Sequence, residues 1–415
     1  MRKVVLAGSL DTKGADLAFV REIIQGEGFE VLVVDFGVLG EGPFEPDVRA
    51  EEVARSGGKS LKELRESRDK TEAMRVMARG LSDVCKRLHS EGKLDAIMAL
   101  GGSGGTAIAT EAMRALPLGV PKVMVSTVAS GDVSPYVGTR DVVMFPSIVD
   151  VAGVNRISRV IYSNAAMALC GMLRAMDLPQ RRSAQDKPIV AASMFGNTTP
   201  CVNRVKEILE GEGYEVLVFH ATGTGGRTME SLIEDGFVQA VADITTTELA
   251  DAVAGGVMSA GPDRLMAASR RGVPTVIVPG CVDMVNFWAM STVPERYRGR
   301  KLYEWNPNVT LMRTNAEENR EIGRWIARAA NQSVGPVAVL VPLKGVSMLD
   351  SPGGPFWDEE ADRACFDAIK ENLRPDVYYR ELDLNVNDPQ FAEEVAKTLL
   401  HLIEEQHHPE KCLCD

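Results

Sequence analysis

Four glycines within five residues are the clearest sign of ligand binding in this sequence. The stretch Gly101-Gly102-Ser103-Gly104-Gly105-Thr106 follows an apolar run and precedes a segment of helical periodicity. Glycines let a backbone approach a ligand closely, and a helix beginning here would offer unpaired N–H donors and the positive end of its dipole. Phosphate is the ligand that such a loop favours. A tight turn without a ligand is the alternative, since the spacing matches neither a P-loop nor the Gly-x-Gly-x-x-Gly dinucleotide fingerprint.

A second polar loop follows the first apolar run of the chain. It contains Gly8, Ser9, Asp11, Thr12 and Lys13. Nucleotides bind at this position of α/β folds, where Ser9 and Thr12 can donate to phosphate and Lys13 can neutralise it. Asp11 could hold Mg²⁺ through water. As an alternative, Ser9 and Asp11 only cap a helix.

Further polar residues complete the expected nucleotide site. Asp35 ends the second apolar run, where an acid would accept hydrogen bonds from ribose hydroxyls, although it could equally be a turn residue. Ser126 and Thr127 end a later apolar run, and Asp132 follows them closely. The sequence therefore predicts a nucleotide cleft at the strand ends, with Mg²⁺ bridging phosphates near Asp11 or Asp132.

The second half has polar loops at matching places. His220 is the histidine that ends an apolar run, and it is the best candidate for a general acid or base. Thr245–Thr247 with Glu248 follow the next run, and Asp283 follows the one after. Buried polar groups are costly unless they are bonded, so we expect a second site for an anionic ligand here. The alternatives are a structural histidine and simple helix caps for the threonines and Glu248. Cys201 near a helix start is more readily a packing residue than a nucleophile.

An internal repeat indicates which elements position these loops. The sequence of Gly26–Val34 is closely repeated at Gly211–Phe219, 185 residues later. Each copy is preceded by an apolar run, a polar loop and a segment of helical periodicity. A second sequence repeat relates the stretch that begins near residue 94 to the one that begins near residue 238. Strand, loop, helix, strand is the unit of a doubly wound α/β sheet. We therefore predict two Rossmann-like doubly wound parallel-sheet domains related by internal duplication, with a small-molecule site in the cleft between them.

The domain boundaries follow from the same pattern. A Rossmann-like domain is expected over 1–180 and a second, with a C-terminal α/β extension, over 188–415, joined by a short polar linker near 179–187. Strands are expected at 3–7, 30–35, 94–100, 122–126, 188–193, 214–219, 238–244, 274–279, 336–341 and 377–382. Helices are expected at 15–25, 68–91, from 103 to about 115, and at 153–174, 315–330, 358–372 and 389–405.

Composition excludes several classes of protein. The 415 residues are 45% apolar and 25% charged, typical of a globular protein, and the net charge of −12 disfavours nucleic-acid and anionic-membrane partners. No apolar run approaches the roughly 18 residues of a membrane helix, and a strand pattern beginning within three residues of Met1 predicts no signal peptide. Seven cysteines, an odd number mostly in apolar contexts, fit a cytoplasmic protein. His407, His408, Cys412 and Cys414 could bind a metal, but incidental composition of a frayed tail is the better interpretation.

The chain resembles the ATP-binding domain family found at the N-terminus of a plant tobamovirus-resistance protein. The stretches that carry the resemblance are Gly8–Gly14, Gly101–Thr106, Ser126–Asp132, Val218–Gly226, Asp243–Leu249, Ala260–Leu265, Asp283–Phe287, Asn306–Thr314, Lys344–Ser347 and Asn387–Pro389. The resemblance implies two Rossmann-like halves, ATP held by the first half, and association into a homodimer. The plant protein continues into a barrel-like domain, so the resemblance also suggests a separate barrel-type partner protein. Trp305 stands where the family pattern leads us to expect histidine, which weakens an acid/base role for that loop.

The combined expectation is an ATP-binding protein, an enzyme that uses ATP and Mg²⁺ on a small anionic metabolite. His220, Glu248, Arg264 and Asp283 would line the substrate side, and phosphoryl transfer would need mainly positioning and charge neutralisation. The first alternative is a non-catalytic nucleotide-sensing module that regulates a partner protein. The second is a dinucleotide-linked oxidoreductase, which the missing fingerprint disfavours.

Overall fold

The computed structural model describes residues 1–178 and 186–407. The chain divides into two compact units, Met1–Ala184 (unit 1) and Gln185–Asp415 (unit 2). Most of the expected linker, 179–187, lies outside the described residues, as do His408, Cys412 and Cys414 of the tail. Among the described helices, none has the length and apolar character needed to cross a membrane.

Unit 1 is built on a parallel sheet. Its strands are β1 (Lys3–Gly8), β2 (Glu30–Asp35), β3 (Ala96–Gly101), β4 (Lys122–Ser126) and β5 (Val142–Pro146). Its helices are α1 (Leu10–Gly26), α2 (Ala50–Ser56), α3 (Leu61–Ser67), α4 (Lys70–Ser90), α5 (Ser103–Arg114), α6 (Ser134–Val137) and α7 (Arg156–Ala175). The spatial order is β2-β1-β3-β4-β5, with every pairing parallel. The order therefore reverses between β1 and β3, which is the switch point where such sheets bind ligands.

Both faces of this sheet are covered, which explains the near-continuous apolar runs of its strands. Val5 and Ala7 of β1 pack with α2, α4 and α5 on one face. Val4 and Leu6 of the same strand pack with α1 and α7 on the other face. Successive side chains of a strand point to opposite faces, so a strand covered on both faces is apolar along most of its length, and the polar residues of these strands lie at their ends.

Unit 2 repeats this topology and extends it. Its parallel strands are β6 (Ile189–Met194), β7 (Glu215–His220), β8 (Ala240–Thr245), β9 (Thr275–Gly280), β13 (Val337–Pro342) and β14 (Tyr378–Leu382). They run in the order β14-β13-β9-β8-β6-β7, which reads in reverse as the order of unit 1 with one more strand. Here the order reverses between β6 and β8. The predicted fold class, two Rossmann-like α/β domains with parallel sheets, is confirmed.

A small antiparallel sheet is inserted in unit 2. Its strands are β10 (Met284–Phe287), β11 (Leu302–Asn306) and β12 (Val309–Arg313), in the order β10-β12-β11. The helices of unit 2 are α8 (Thr199–Gly211), α9 (Thr224–Glu234), α10 (Thr247–Ala254), α11 (Met266–Arg271), α12 (Ala316–Asn331), α13 (Glu359–Asn372) and α14 (Pro389–His407). The sequence analysis did not predict this sheet, nor the edge strand β5.

Candidate functional site

A cavity of about 690 Å³ opens at the carboxyl edge of the sheet of unit 1. The first turns of α1 and α5, the loop after β2, and α3 with α4 form its walls. Five residues predicted for the nucleotide site line it together: Ser9, Asp11, Thr12, Gly104 and Gly105. The remaining walls are mostly apolar, including Phe36, Val38, Leu64, Met74 and Ile108. A volume of this size with apolar walls and a few polar groups is typical of small-molecule sites.

The glycines of α5 are the most informative part of the cavity wall. Neither Gly104 nor Gly105 has a left-handed backbone. A Cβ on Gly104 would come no closer than 3.6 Å to Met74, and one on Gly105 no closer than 3.9 Å to the Leu100 carbonyl oxygen. Gly101 differs, because its Cβ would lie 3.1 Å from the Cα of Gly105. Packing thus accounts for Gly101, whereas Gly104 and Gly105 leave open a wall that a side chain would narrow.

The same turn offers hydrogen-bond donors. No side chain caps α5 at Gly102, and the first helical amide with a partner is that of Thr106, which donates to the Gly102 oxygen at 2.8 Å. The three preceding amides are the unpaired donors that every helix start leaves, and they lie at the positive end of the dipole. Two of these three amides belong to Gly104 and Gly105, which line the cavity.

Three cationic side chains that the sequence analysis missed line the same cavity as this turn. Arg65, Arg68 and Lys70, from the end of α3 and the start of α4, line the cavity. The Arg65 Nε donates to the Val38 oxygen at 2.6 Å and so holds the loop after β2. The cluster is visible in the sequence, but only the fold brings it to the glycine turn. An anion in the cavity would be attracted from two sides.

Several predicted nucleotide ligands hold the loops instead of lining the cavity. Asp35 is buried, and its Oδ1 accepts from the amides of Leu10 and Gly37 at 3.0 and 2.8 Å, while burial raises the pKa of its carboxyl. The Thr106 and Ser126 hydroxyls, both buried, lie 2.6 Å apart and join α5 to β4. Of the other predicted positions, Ser103 and Thr127 are exposed and Lys13 is half-buried. Gly8 and Gly101 end strands β1 and β3, and Gly102 follows β3.

The two candidate Mg²⁺ carboxylates differ in their surroundings. Asp11 lies in the first turn of α1, because this helix begins at Leu10 and not at the expected residue 15. Its Oδ2 accepts from the Leu39 amide at 2.7 Å, while Oδ1 is buried without a hydrogen-bond partner. Asp132 is exposed and accepts from Ser134, which lowers its pKa. Within the described ranges no group of three or more His, Cys, Asp or Glu could hold a metal ion. Mg²⁺ on a nucleotide needs only one or two carboxylates besides phosphate oxygens, and Asp11 Oδ1 has the required chemistry.

Two of the predicted catalytic residues of unit 2 are bonded to each other. The Arg264 side chain is fully buried, and its Nε donates to Glu248 Oε2 at 2.6 Å. Its Nη1 and Nη2 donate to the two oxygens of Asp243, at 2.5 and 2.6 Å, and Nη1 also reaches Glu230. Burial opposes the charge of Arg264, but these carboxylates hold its pKa above the ordinary value. Burial also raises the pKa of the Glu230 carboxyl.

Glu248 occupies the start of α9 as an anion would. Its Oε1 accepts from the amides of Gly223 and Gly226 at 2.7 and 3.1 Å. Gly223 has φ +82°, and a Cβ on Gly226 would lie 2.1 Å from Glu248 Oε2. Both glycines are therefore required by conformation or packing, in contrast to Gly104 and Gly105. Unit 2 fills with its own carboxylate a helix terminus of the kind that unit 1 leaves open.

The other candidates in unit 2 are separate from this network. His220 is exposed at the end of the edge strand β7, and its ring stacks on Phe195 at a centroid distance of 5.3 Å. Asp283 is fully buried, its Oδ2 accepts from the Ser347 hydroxyl at 2.8 Å, and burial with the nearby Asp350 raises its pKa. Burial raises the pKa of the Cys201 thiol to about 12, which leaves little thiolate for a nucleophilic role.

Comparison with known protein families matches nearly the whole chain. The N-terminal-domain model of the uncharacterised protein family UPF0261 matches residues 2–177, and its C-terminal-domain model matches residues 187–403. A UPF0261 protein of Clostridium tetani is 49% identical over 97% of this chain and 99% of its own length. The ToMV resistance protein Tm-1(GCR237) of Solanum lycopersicum is 43% identical over 81% of this chain, but only 45% of the tomato protein is matched.

Among solved structures, the similarity is remote. UDP-N-acetylglucosamine 2-epimerase from Rickettsia bellii matches over 98% of this chain and 96% of its own, with 11% identity and a TM-score of 0.21. A score this low supports no inference about function.

Proposed function

This chain belongs to the uncharacterised protein family UPF0261, and we propose that it binds a nucleoside triphosphate, ATP, in the cavity of unit 1. The proposal rests on the part of the cavity wall formed by Gly104 and Gly105, which has no side chains. Neither the backbone conformation nor the packing requires glycine at these two positions. The phosphates would bind the first amides of α5, with Arg65, Arg68 or Lys70 facing them across the cavity. The base would lie against the apolar wall that includes Phe36 and Met74.

Mg²⁺ would bind the phosphates and Asp11. Asp11 lines the cavity, and its buried Oδ1 has no hydrogen-bond partner, so this carboxylate keeps an oxygen with which it could bind the ion after a small side-chain rotation. A bound divalent ion would neutralise phosphate charge, and the chain itself would orient the nucleotide and exclude water from its apolar portion.

Two functions of this nucleotide site deserve separate tests. In the first, an enzyme transfers a phosphoryl group to a small anionic metabolite held by unit 2, with His220 as the exposed acid or base. In the second, a nucleotide-sensing module regulates a partner protein. The second is favoured by the internal bonding of Glu248 and Arg264, which stabilises the fold of unit 2 and leaves neither group free to react.

Calorimetry with ATP, ADP, NAD and NADP tests the nucleotide proposal. Gly104→Asp should weaken ATP binding by about 3 kcal/mol, on the order of a hundredfold, because a carboxylate at the phosphate position adds charge repulsion to steric exclusion. Gly26→Asp is the matched control. Gly26 is exposed at the C-terminus of α1, the end away from the cavity, and no atom lies within 4 Å of the position of a Cβ there. Equal ATP affinity in the two folded variants would refute the proposal. Phosphate release with and without pooled metabolites then separates the enzyme from the sensor.

We also propose that the protein is a homodimer. Helix α7 exposes Ile157, Val160 and Met167, at 46%, 57% and 43%, on positions that share one helical face, and Ile148 nearby is 69% exposed. An apolar face of this kind usually marks an interaction site. Light scattering at micromolar concentration should give twice the chain mass, and Met167→Glu should shift it toward the monomer. A separate barrel-type partner protein is the heteromeric alternative, and a monomeric wild-type chain would leave α7 free for it.

A further inference from the structure

The segment 343–358 covers the carboxyl edge of the unit 2 sheet without forming a helix or a strand. The Val346 oxygen accepts from the Cys281 amide just after β9, at 2.9 Å. The Met348 amide donates to the Asn197 oxygen just after β6, at 3.2 Å. The segment thus contacts the loops after β9 and β6, the strands on either side of β8, at the edge where parallel sheets bind ligands.

A buried charged cluster fixes this segment in place. Its members are Asp283 after β9, Arg313 of β12, Asp350 of the segment and Asp362 of α13, all at most 3% exposed. Arg313 Nη2 donates to Asp362 Oδ1 at 2.5 Å and lies 3.6 Å from Asp350 Oδ1. Within the segment, Ser347 donates its hydroxyl to Asp283 Oδ2. Each of the three acids therefore connects a different element to the same centre.

The cluster contains more carboxyl groups than it can ionise without a large cost in free energy. Three carboxyls face one guanidinium, so full ionisation would leave a net charge of −2 in the interior. One oxygen of each carboxyl is buried without a hydrogen-bond partner: Asp283 Oδ1, Asp350 Oδ1 and Asp362 Oδ2. Burial and mutual repulsion raise the pKa of Asp283 to about 7 and that of Asp362 to about 8, against the pull of Arg313. The pKa of Asp350 is raised by burial as well.

The neighbouring groups do not offset this excess. The thiols of Cys281 and Cys365 are buried and have raised pKa values, so they stay neutral. Arg300 is near enough to Arg313 to repel it, but it is paired with Glu318 at 2.8 Å. Asp358 contributes its backbone oxygen to Arg313, not its carboxylate.

We propose that this cluster is a proton-operated latch that holds the segment 343–358 over the carboxyl edge of unit 2 and releases it when protons leave. In the closed state two protons neutralise the excess acid, and the segment is locked between Asp283, Arg313 and Asp362. In the open state Asp350 and Ser347 move into water and water reaches Asp283 and Asp362, so the carboxyls ionise near their ordinary pKa. Opening exposes the ends of β6 and β9, so the pH of the surroundings sets access to this edge. The latch is independent of nucleotide binding in unit 1.

Hydrogen exchange with mass spectrometry on the full chain tests the latch. After correction for intrinsic rates, opening of 343–358 should rise about tenfold per pH unit for each proton released, from about pH 5, and level off above about pH 8. Asn is neutral at every pH, so Asp283→Asn should lower the pH dependence of opening by about the tenfold per pH unit that one proton contributes. Asp383→Asn is the control, because Asp383 pairs with Lys344 of the same segment at 2.8 Å but is outside the cluster. It should leave the slope unchanged.

Three outcomes would overturn the latch. They are exchange of 343–358 that does not depend on pH, an unaltered slope in folded Asp283→Asn, and an equal loss of slope in Asp383→Asn. If Asp283→Asn fails to fold, infrared spectra decide. In an Asp251→Asn variant, which lacks the other carboxyl whose pKa is raised to about 7, the C=O stretch of protonated carboxyls should be present at about pH 6 and lost by about pH 9, and its absence at pH 6 would refute the proposal.

Discussion

Replacing Gly104 with alanine should make the protein more stable and its nucleotide binding weaker. The backbone at Gly104 is not left-handed, and the new methyl group would have 3.6 Å to its nearest neighbour, Met74. Alanine in a helical turn is favoured over glycine by about 0.5–1 kcal/mol, because the unfolded chain loses conformational freedom. For a unit of this size the gain corresponds to a rise of about 1–4 °C in melting temperature.

In the proposed binding mode, the same methyl group would stand where the phosphates approach the α5 amides. We expect at least about a tenfold loss of ATP affinity, or about 1.4 kcal/mol, from a displacement of the ligand by one methyl radius. Differential scanning calorimetry without ligand and titration calorimetry with ATP measure the two effects on one sample. A fall in melting temperature would show that packing requires Gly104, and unchanged affinity in a stabilised variant would place the phosphates elsewhere.

Other predictions concern unit 2, which contains all four tryptophans, so that their fluorescence reports its unfolding separately. Gly226→Ala should destabilise this unit by about 3–5 kcal/mol in urea unfolding, because its methyl group displaces Glu248 from Arg264, yet ATP affinity should be unchanged. A loss below 1 kcal/mol would show that the network tolerates the displacement. Burial raises the pKa of Asp251 to about 7, so the folded state binds this proton more tightly than the unfolded chain. Its contribution to stability is therefore full below about pH 4 and is lost as pH rises through about 7; a tryptophan-detected free energy that increases over this range would contradict it. His220→Ala should change stability by less than about 1 kcal/mol, since the ring is exposed and stacks only on Phe195, and should abolish any metabolite-stimulated turnover. Turnover that survives the change would remove His220 from the mechanism.

The sequence was sufficient to predict every strand of the two parallel sheets except β5. Buried strands such as β3 and β13 are uninterrupted apolar runs, and the repeat of Gly26–Val34 identified equivalent strands independently. The inserted sheet was missed because β11 alternates exposed polar and aromatic residues and is bent at Glu304 and Asn306, so no apolar run marks it. The edge strand β5 has only five residues, and none of them is buried.

The candidate site was only partly predictable for a different reason. Ser9 and Gly104 could be placed together because both follow strands at one sheet edge. Arg65 could not, because α3 and α4 belong to a long crossover whose path depends on packing and not on a local pattern. The sequence also could not distinguish Glu248 as an internal partner of Arg264 from Glu248 as a ligand of substrate, since both need a carboxylate at the same place.

The carboxylate of Glu248 at the start of α9 has a consequence for how the two units respond to metabolite supply. A site filled by its own chain gains the interaction at every concentration of small molecules, so the contribution of Glu248 to the stability of unit 2 does not vary with them. A site that waits for a diffusible anion is stabilised by RT ln(1 + [L]/Kd), about 2.7 kcal/mol when the ligand stands at about a hundred times its Kd. Starvation for that ligand would therefore loosen unit 1 alone, and proteases would cut there first. With ATP bound as proposed, the lifetime of unit 1 would follow the supply of nucleotide, whereas the Glu248 contact at the start of α9 in unit 2 would not respond to it.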